Sequence, residues 1–177
     1  FKGSDIFLSG DNGPYSLDVI SLYDNFSLVT SLFGIYNTSS YNYTQFEQPS
    51  VSFINFSDFG ADEDNDSLFD SLVIKATLEV KESGNYSIFG LLYDSNNEFI
   101  ESALVEKTFL KGTRKVNLEF DGLTLRRHSI DGQYKLLDIN VRDEQDNLVN
   151  SLTEAYNTSA YSINIFETFP ARFTGVF

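Results

Sequence analysis

The chain has 177 residues and is 41% hydrophobic, enough to bury a real core as one or two domains. A formal net charge of −14 and a pI near 4.2 argue against binding a nucleic-acid backbone, which requires clustered lysine and arginine. There is no Cys, Met or Trp, so no disulfide framework exists, and no apolar run approaches the roughly 20 residues of a membrane span, so direct membrane insertion is not expected.

Strand signals dominate, with 10 Tyr and 17 Phe. Residues 15–23 and 41–46 read as strands. The sharpest composition shift follows at 58–70, where the chain turns acidic. Leu72, Ile74, Ala76, Leu78 and Val80 then alternate with Val73, Lys75, Thr77 and Glu79, the period of two that marks a half-buried strand. Gly84-Asn85 turns the chain into a strand over 86–93. Asp94-Ser95-Asn96-Asn97 is a polar turn, Phe99-Ile100 begins the return, and 104–110 reads as another strand. After the turn at Lys111-Gly112-Thr113, Val116, Leu118 and Phe120 alternate again. Residues 134–141 and 161–166 are further predicted strands, and 148–155 has room for one or two helical turns. Short strands with turns at close intervals predict an all-β fold, an antiparallel β-sandwich of Ig-like or jelly-roll-like type.

The chain also repeats itself. Phe1 and Gly3 match Phe120 and Gly122, and Gly13, Tyr15, Leu17, Ile20 and Asp24 match Gly132, Tyr134, Leu136, Ile139 and Asp143. One inserted residue later, Val29, Ser31 and Leu32 match Val149, Ser151 and Leu152. The strongest block sets Tyr36-Asn37-Thr38-Ser39-Ser40-Tyr41 against Tyr156-Asn157-Thr158-Ser159-Ala160-Tyr161, and Phe46-Glu47 and Phe53 match Phe166-Glu167 and Phe173. Residues 58–119 have no counterpart. The expected organisation is a partial unit over 1–57, the back half of a repeat, and a full unit over 58–177. A chain that starts and stops in mid-repeat reads as cut from a longer array, or as a subunit completed by a neighbour. Because Phe1 is not Met, a signal peptide, a pro-segment or an upstream repeat is expected to have been removed.

Asn-x-Ser/Thr sequons fall at Asn25, Asn37, Asn42, Asn55, Asn65, Asn85 and Asn157. Chance would give about three, so glycosylation in a secreted context is expected; the alternative is plain turn composition. The segment Asp62-Glu63-Asp64-Asn65-Asp66-Ser67-Leu68-Phe69-Asp70 fits D-x-D-x-D-x-x-x-D. Calcium takes six to eight oxygen ligands, and alternate residues of a tight loop can aim theirs at one centre. Asp62, Asp64, Asp66 and Asp70 would give carboxylates and Leu68 its carbonyl. Unit charges about 4 Å apart cost about 4 kcal/mol at an effective dielectric of about 20, so such a cluster favours a cation. Ser67 holds a position usually given to Gly, and Val73 stands where a complete EF-hand loop has its bidentate Glu. A glycan on Asn65 would crowd the ion, and an exposed acidic turn without metal is the competing reading. Asp143, Glu144 and Asp146 form a weaker acidic turn, and Arg126-Arg127-His128 is the one basic cluster.

Catalysis is not expected. One His and no Cys leave little for nucleophilic triads, there is no Gly-rich phosphate loop, and no spacing selects a carboxylate pair.

The acidic loop, Gly84-Asn85-Tyr86-Ser87, Leu91-Leu92-Tyr93-Asp94, Phe120-Asp121-Gly122, Asp131-Gly132-Gln133-Tyr134 and the closing Ala155-Tyr156-Asn157-Thr158-Ser159-Ala160-Tyr161 form a series. It resembles a poorly characterised repeat of large secreted and cell-surface proteins of archaea. There the loop tends to read D-x-D-G-D-G-L-x-D, and a Y-T-T-S-x-Y-like segment closes the unit. The resemblance implies an extracellular β-sandwich used as a spacer, adhesion or surface-coat element, with Asp62, Asp64, Asp66 and Asp70 as cation ligands. The leading expectation is therefore a non-catalytic, calcium-stabilised and glycosylated structural module of an extracellular surface, coat or filament protein. Its partners would be copies of itself or adjacent repeat units, with strands such as 15–22 open to pairing. The alternative is a carbohydrate-binding or adhesion module on a secreted enzyme, with Tyr36, Tyr41 and Tyr43 as stacking rings.

Overall fold

The structure, a computed structural model, describes residues 1–168 and divides into two compact units, Phe1–Pro49 and a second beginning at Ser50. Phe173, the expected counterpart of Phe53, lies outside the described residues. The division falls at Glu47-Gln48-Pro49-Ser50 rather than near residue 57. The reason is the strand Val51–Ala61, which pairs along its whole length with Ser71–Val80 and so belongs to the second unit.

The first unit holds helix α1 (Gly3–Ser9), strands β1 (Ser16–Asp24) and β2 (Ser27–Asn37), and a 3-10 turn at Tyr43–Gln45. β1 and β2 form an antiparallel hairpin, a two-stranded sheet. The 3-10 turn stands where a strand is predicted over 41–46. Asn42 caps it, its side chain accepting from the Thr44 amide while Gln45 reaches back to the Asn42 amide. That local capping box outcompetes the extended conformation.

The second unit begins with β3 (Val51–Ala61), β4 (Ser71–Val80), β5 (Gly84–Tyr93), β6 (Phe99–Phe109) and β7 (Gly112–Asp121). Helix α2 (Gly122–His128), β8 (Gly132–Asp143), β9 (Leu148–Leu152), β10 (Tyr156–Tyr161) and a 3-10 turn at Ile163–Ile165 follow. β3-β4-β7 form one antiparallel sheet, and β10-β8-β5-β6, with β9 also on β8, form the other. This is the expected all-β sandwich. Its core lies between the sheets: Leu72, Ile74 and Leu78 of β4, Ile88 and Leu92 of β5, Leu118 and Phe120 of β7, and Leu136 and Ile139 of β8 are fully buried. Each such side chain contributes about 1.5–3 kcal/mol relative to exposure. β4 is the central strand, bonded to β3 on one edge and β7 on the other, which explains its unbroken apolar inner face.

Three local expectations are corrected. The segment after the Asp143 turn is strand β9, not a helical turn, because its amides pair with β8. The closing strand is Tyr156–Tyr161, and 163–165 coil into a 3-10 turn capped by Ser162. Phe99-Ile100 and 104–110 are not two strands but one, β6. Helix α2 has no apolar periodicity long enough to read; Asp121 caps it by accepting from the amide and hydroxyl of Thr124.

The two back halves have the same construction. In the second, the Tyr134 amide donates to the Thr158 hydroxyl at 2.9 Å, and the Tyr134 hydroxyl donates to the Ile130 carbonyl. In the first, the Tyr15 amide donates to Thr38 at 2.9 Å and the Tyr15 hydroxyl to the Asp11 carbonyl. Thr38 and Thr158, the middle residues of two sequons, thus have the same role in the fold.

Candidate metal centre

The acidic loop joins β3 to β4, so both of its ends are fixed by one hairpin of the three-stranded sheet. Within it the carboxylates fold the backbone inward. Asp62 accepts from the amides of Asn65 (2.8 Å) and Ser67 (3.1 Å), Asp64 from Asp66 (3.2 Å), and Asp66 from Leu68 (2.8 Å). Asp70 accepts from the Glu63 amide at 2.5 Å. Asn65 and Ser67 take positive φ, 64° and 80°. At position 67 an L side chain costs about 1–2 kcal/mol in this conformation, the reason glycine is usual there.

The loop's far end is clasped by the back half. The Phe69 amide donates to the Ile165 carbonyl at 2.7 Å and the Glu167 amide to the Phe69 carbonyl at 3.1 Å. The Phe69 and Phe166 rings meet edge-on, and Gly60 leaves the space the Phe69 ring fills. This clasp brings in a carboxylate the motif did not include. Two groups of ligand atoms converge: Asp62, Asp64 and Asp66, and Asp64, Asp70 and Glu167, each with its atoms within 4.8 Å of one another. Oxygens around one calcium ion at about 2.4 Å lie no more than about 4.8 Å apart, so Asp64 joins two sets of calcium-sized spacing. Burial raises the Glu167 carboxyl above its ordinary value, and the charges of Asp66, Asp70 and Asp64 add to this. The described ion pairs, His128–Asp94 and Arg142–Asp146, lie elsewhere and neutralise none of it. These acidic clusters could hold a metal ion. Glu167 was legible only as half of the Phe46-Glu47 and Phe166-Glu167 match; nothing in the spacing placed it beside a loop about 100 residues away.

Asp94, Glu98 and His128 form a third convergent group. Its geometry answers to folding. Asp94 is fully buried, accepts from the amides of Asn96 and Glu98 at 2.8 Å each, and meets His128 Nε2 at 3.0 Å. Burial alone would raise its carboxyl; the His128 contact and the amides outweigh that and hold it low. Of the basic cluster, Arg126 donates to the Ile163 carbonyl and His128 to this turn. Asp143, Glu144 and Asp146 line an open depression of about 510 Å³ but do not appear in a convergent group among the described residues.

The closing Tyr-rich motif has a definite task. The Tyr156 and Tyr161 hydroxyls donate to the two oxygens of Asp58 on β3, at 2.6 and 2.5 Å, and the Ser159 amide adds a third bond at 3.0 Å. Asp58 was not singled out in the sequence. Burial would raise its carboxyl, but these donors prevail and lower it, and the Tyr156 hydroxyl is pushed up to about 12. Asn25, Asn37, Asn42, Asn55, Asn65, Asn85 and Asn157 are all exposed, as a glycan acceptor must be.

No protein-family model matches the sequence, and no curated protein matches it significantly. Among solved structures, a DUF4785 family protein from Legionella pneumophila is similar in fold. It has a TM-score of 0.50 and 14% identity, over 82% of this chain and 35% of that one. A calcium-binding mutant of Bacteroides uniformis beta-glucuronidase 2 has a TM-score of 0.45 and 11% identity, over 82% of this chain and 23% of that one. The chain therefore spans well under half of either protein. The first likeness is one of fold alone. No helix among the described residues is long and apolar enough to cross a membrane.

Proposed function

We propose that this chain is a non-catalytic structural module of an extracellular surface, coat or filament protein, stabilised by calcium and glycosylated at exposed sequons. The observation that carries the reading is the convergence of Asp64 and Asp70, from the β3–β4 loop, with Glu167 at the end of the back half. A cation there ties the β3–β4 loop to the back half, a clip with mechanical sense in a spacer. The lone His128 is engaged by buried Asp94.

Chelation tests the reading. A ligand that binds only the folded state stabilises it by about 2.7 kcal/mol at 100 times its Kd. EGTA is therefore expected to lower the Tm of the second unit by several degrees relative to millimolar calcium; an unchanged melting curve overturns the calcium assignment. Ser67→Gly is expected to relieve the positive-φ strain and raise calcium affinity about 3-fold or more, read by titration calorimetry. Intact mass of the secreted chain reads the glycans.

The carbohydrate-binding alternative has one observation in its favour, the exposure of the Tyr36 and Tyr41 rings, at 62% and 45%. Binding on a glycan array that Tyr36→Ala abolishes would support it.

A further inference from the structure

The first unit is built as a back half, yet residues that are core in the second unit are open in the first. Ile20 and Leu22 occupy the places of Ile139 and Val141. The first pair is 48% and 58% exposed; the second pair is fully buried. In the second unit that face is covered by the front half, β3 to β7, and β8 is bonded along one edge to β5, with Ile88 opposite Val141 and Leu92 opposite Leu136. β1 is bonded to β2 alone among the described residues, so the edge that receives β5 in the second unit has no strand on it.

Two further marks of a front half survive in the first unit. Tyr36, Ser39 and Tyr41 repeat Tyr156, Ser159 and Tyr161, the three donors that grip Asp58, and all three are exposed. Gly3 repeats Gly122, a glycine with no space for a Cβ because the Phe69 and Asp70 carbonyls of the front-half loop lie 2.4 and 2.7 Å from where it would sit; at Gly3 the nearest such atom is 3.2 Å away and belongs to its own unit.

We propose that the open face of the β1–β2 hairpin is a docking surface for a front half of the same kind as residues 51–119, carried by a polypeptide segment other than these 177 residues. The arriving segment adds a strand to the free edge of β1, covers Leu17, Ile20 and Leu22 with an apolar sheet, and offers a carboxylate to Tyr36 and Tyr41. A second copy of these 177 residues does not satisfy the surface. Each copy has one front half and two back halves, and its front half is already taken by its own second back half, so any closed assembly leaves as many faces open as it has chains. Unpaired edges beside apolar faces are the usual substrate of strand addition. The inference stands whether or not the loop binds calcium.

The test supplies the missing half in register. Residues 51–119 are duplicated ahead of Phe1 of the full chain, so that Phe1 follows as Phe120 does. Hydrogen exchange of the β1 amides is compared with that in the unextended chain. Protection is expected to rise about 100-fold, and to be lost when Ile20→Glu and Leu22→Glu are introduced, with β8 unchanged throughout. Unaltered β1 exchange in the extended chain overturns the proposal. So does an extension that stays unfolded, since the same sequence folds against the second back half. Self-association of the unextended chain at micromolar concentration with protection of β1 also overturns it, because a second copy would then be the occupant.

Discussion

Asp58→Ala is expected to destabilise the second unit by about 3 kcal/mol, seen as a fall of about 10 °C in its Tm. Hydrogen bonds to a charged group contribute about 1.5–3 kcal/mol each, and Asp58 accepts from two tyrosine hydroxyls and one amide; the sum is discounted because the site is partly exposed and its bonds act together. Tyr161→Phe removes one donor and is expected to cost about 1 kcal/mol. The same bonds set a pH dependence. The folded carboxyl lies below the ordinary value of 3.8, so its stabilisation is complete above that value and is lost as pH falls through the lower folded value. In Asp58→Asn this acid-limb loss of stability is expected to flatten. An unchanged profile would mean that Asp58 contributes nothing to the joint between β3 and β10.

Gly122→Ala is expected to be about as severe, roughly 3 kcal/mol. A Cβ there would sit 2.4 Å from the Phe69 carbonyl oxygen and 2.7 Å from that of Asp70, both main-chain atoms that cannot rotate away. The Gly122 amide also donates to the Asp70 carbonyl at 2.7 Å, so any shift moves a loop carboxylate. Denaturant midpoints read the stability, and calcium affinity is expected to fall in parallel. Gly3→Ala is the internal control: its nearest neighbour leaves 3.2 Å, and a cost under about 1 kcal/mol is expected.

Much of the fold was legible because the sandwich writes its pattern locally. The alternation of Leu72 to Val80 named β4 and its inward face before any partner was known, and turn residues bracketed β5 and β7. Where local signals misled, short-range bonds had won. Asn42 and Ser162 cap 3-10 turns inside segments that read as strand, and β9 is extended because β8 offers it partners. The boundary moved to Pro49 for a similar reason, since β3 has weak alternation of its own and exists as a strand by pairing with β4.

The candidate centre divides in the same way. Asp62, Asp64 and Asp66 converge within the loop, a grouping their alternate spacing suggests, whereas Asp70 converges with Asp64 and Glu167 rather than with Asp62 and Asp66. Glu167, and the tyrosine clamp on Asp58, depend on contacts across about 100 residues, and no local pattern encodes which distant segment returns to a loop. The repeat likewise led to the reading of residues 1–57 as a copy of a back half. Only the tertiary structure decided what that copying means, because burial is a property of what lies opposite: Ile139 and Ile20 are the same residue at the same place in the same hairpin, one sealed under a sheet and one open to solvent.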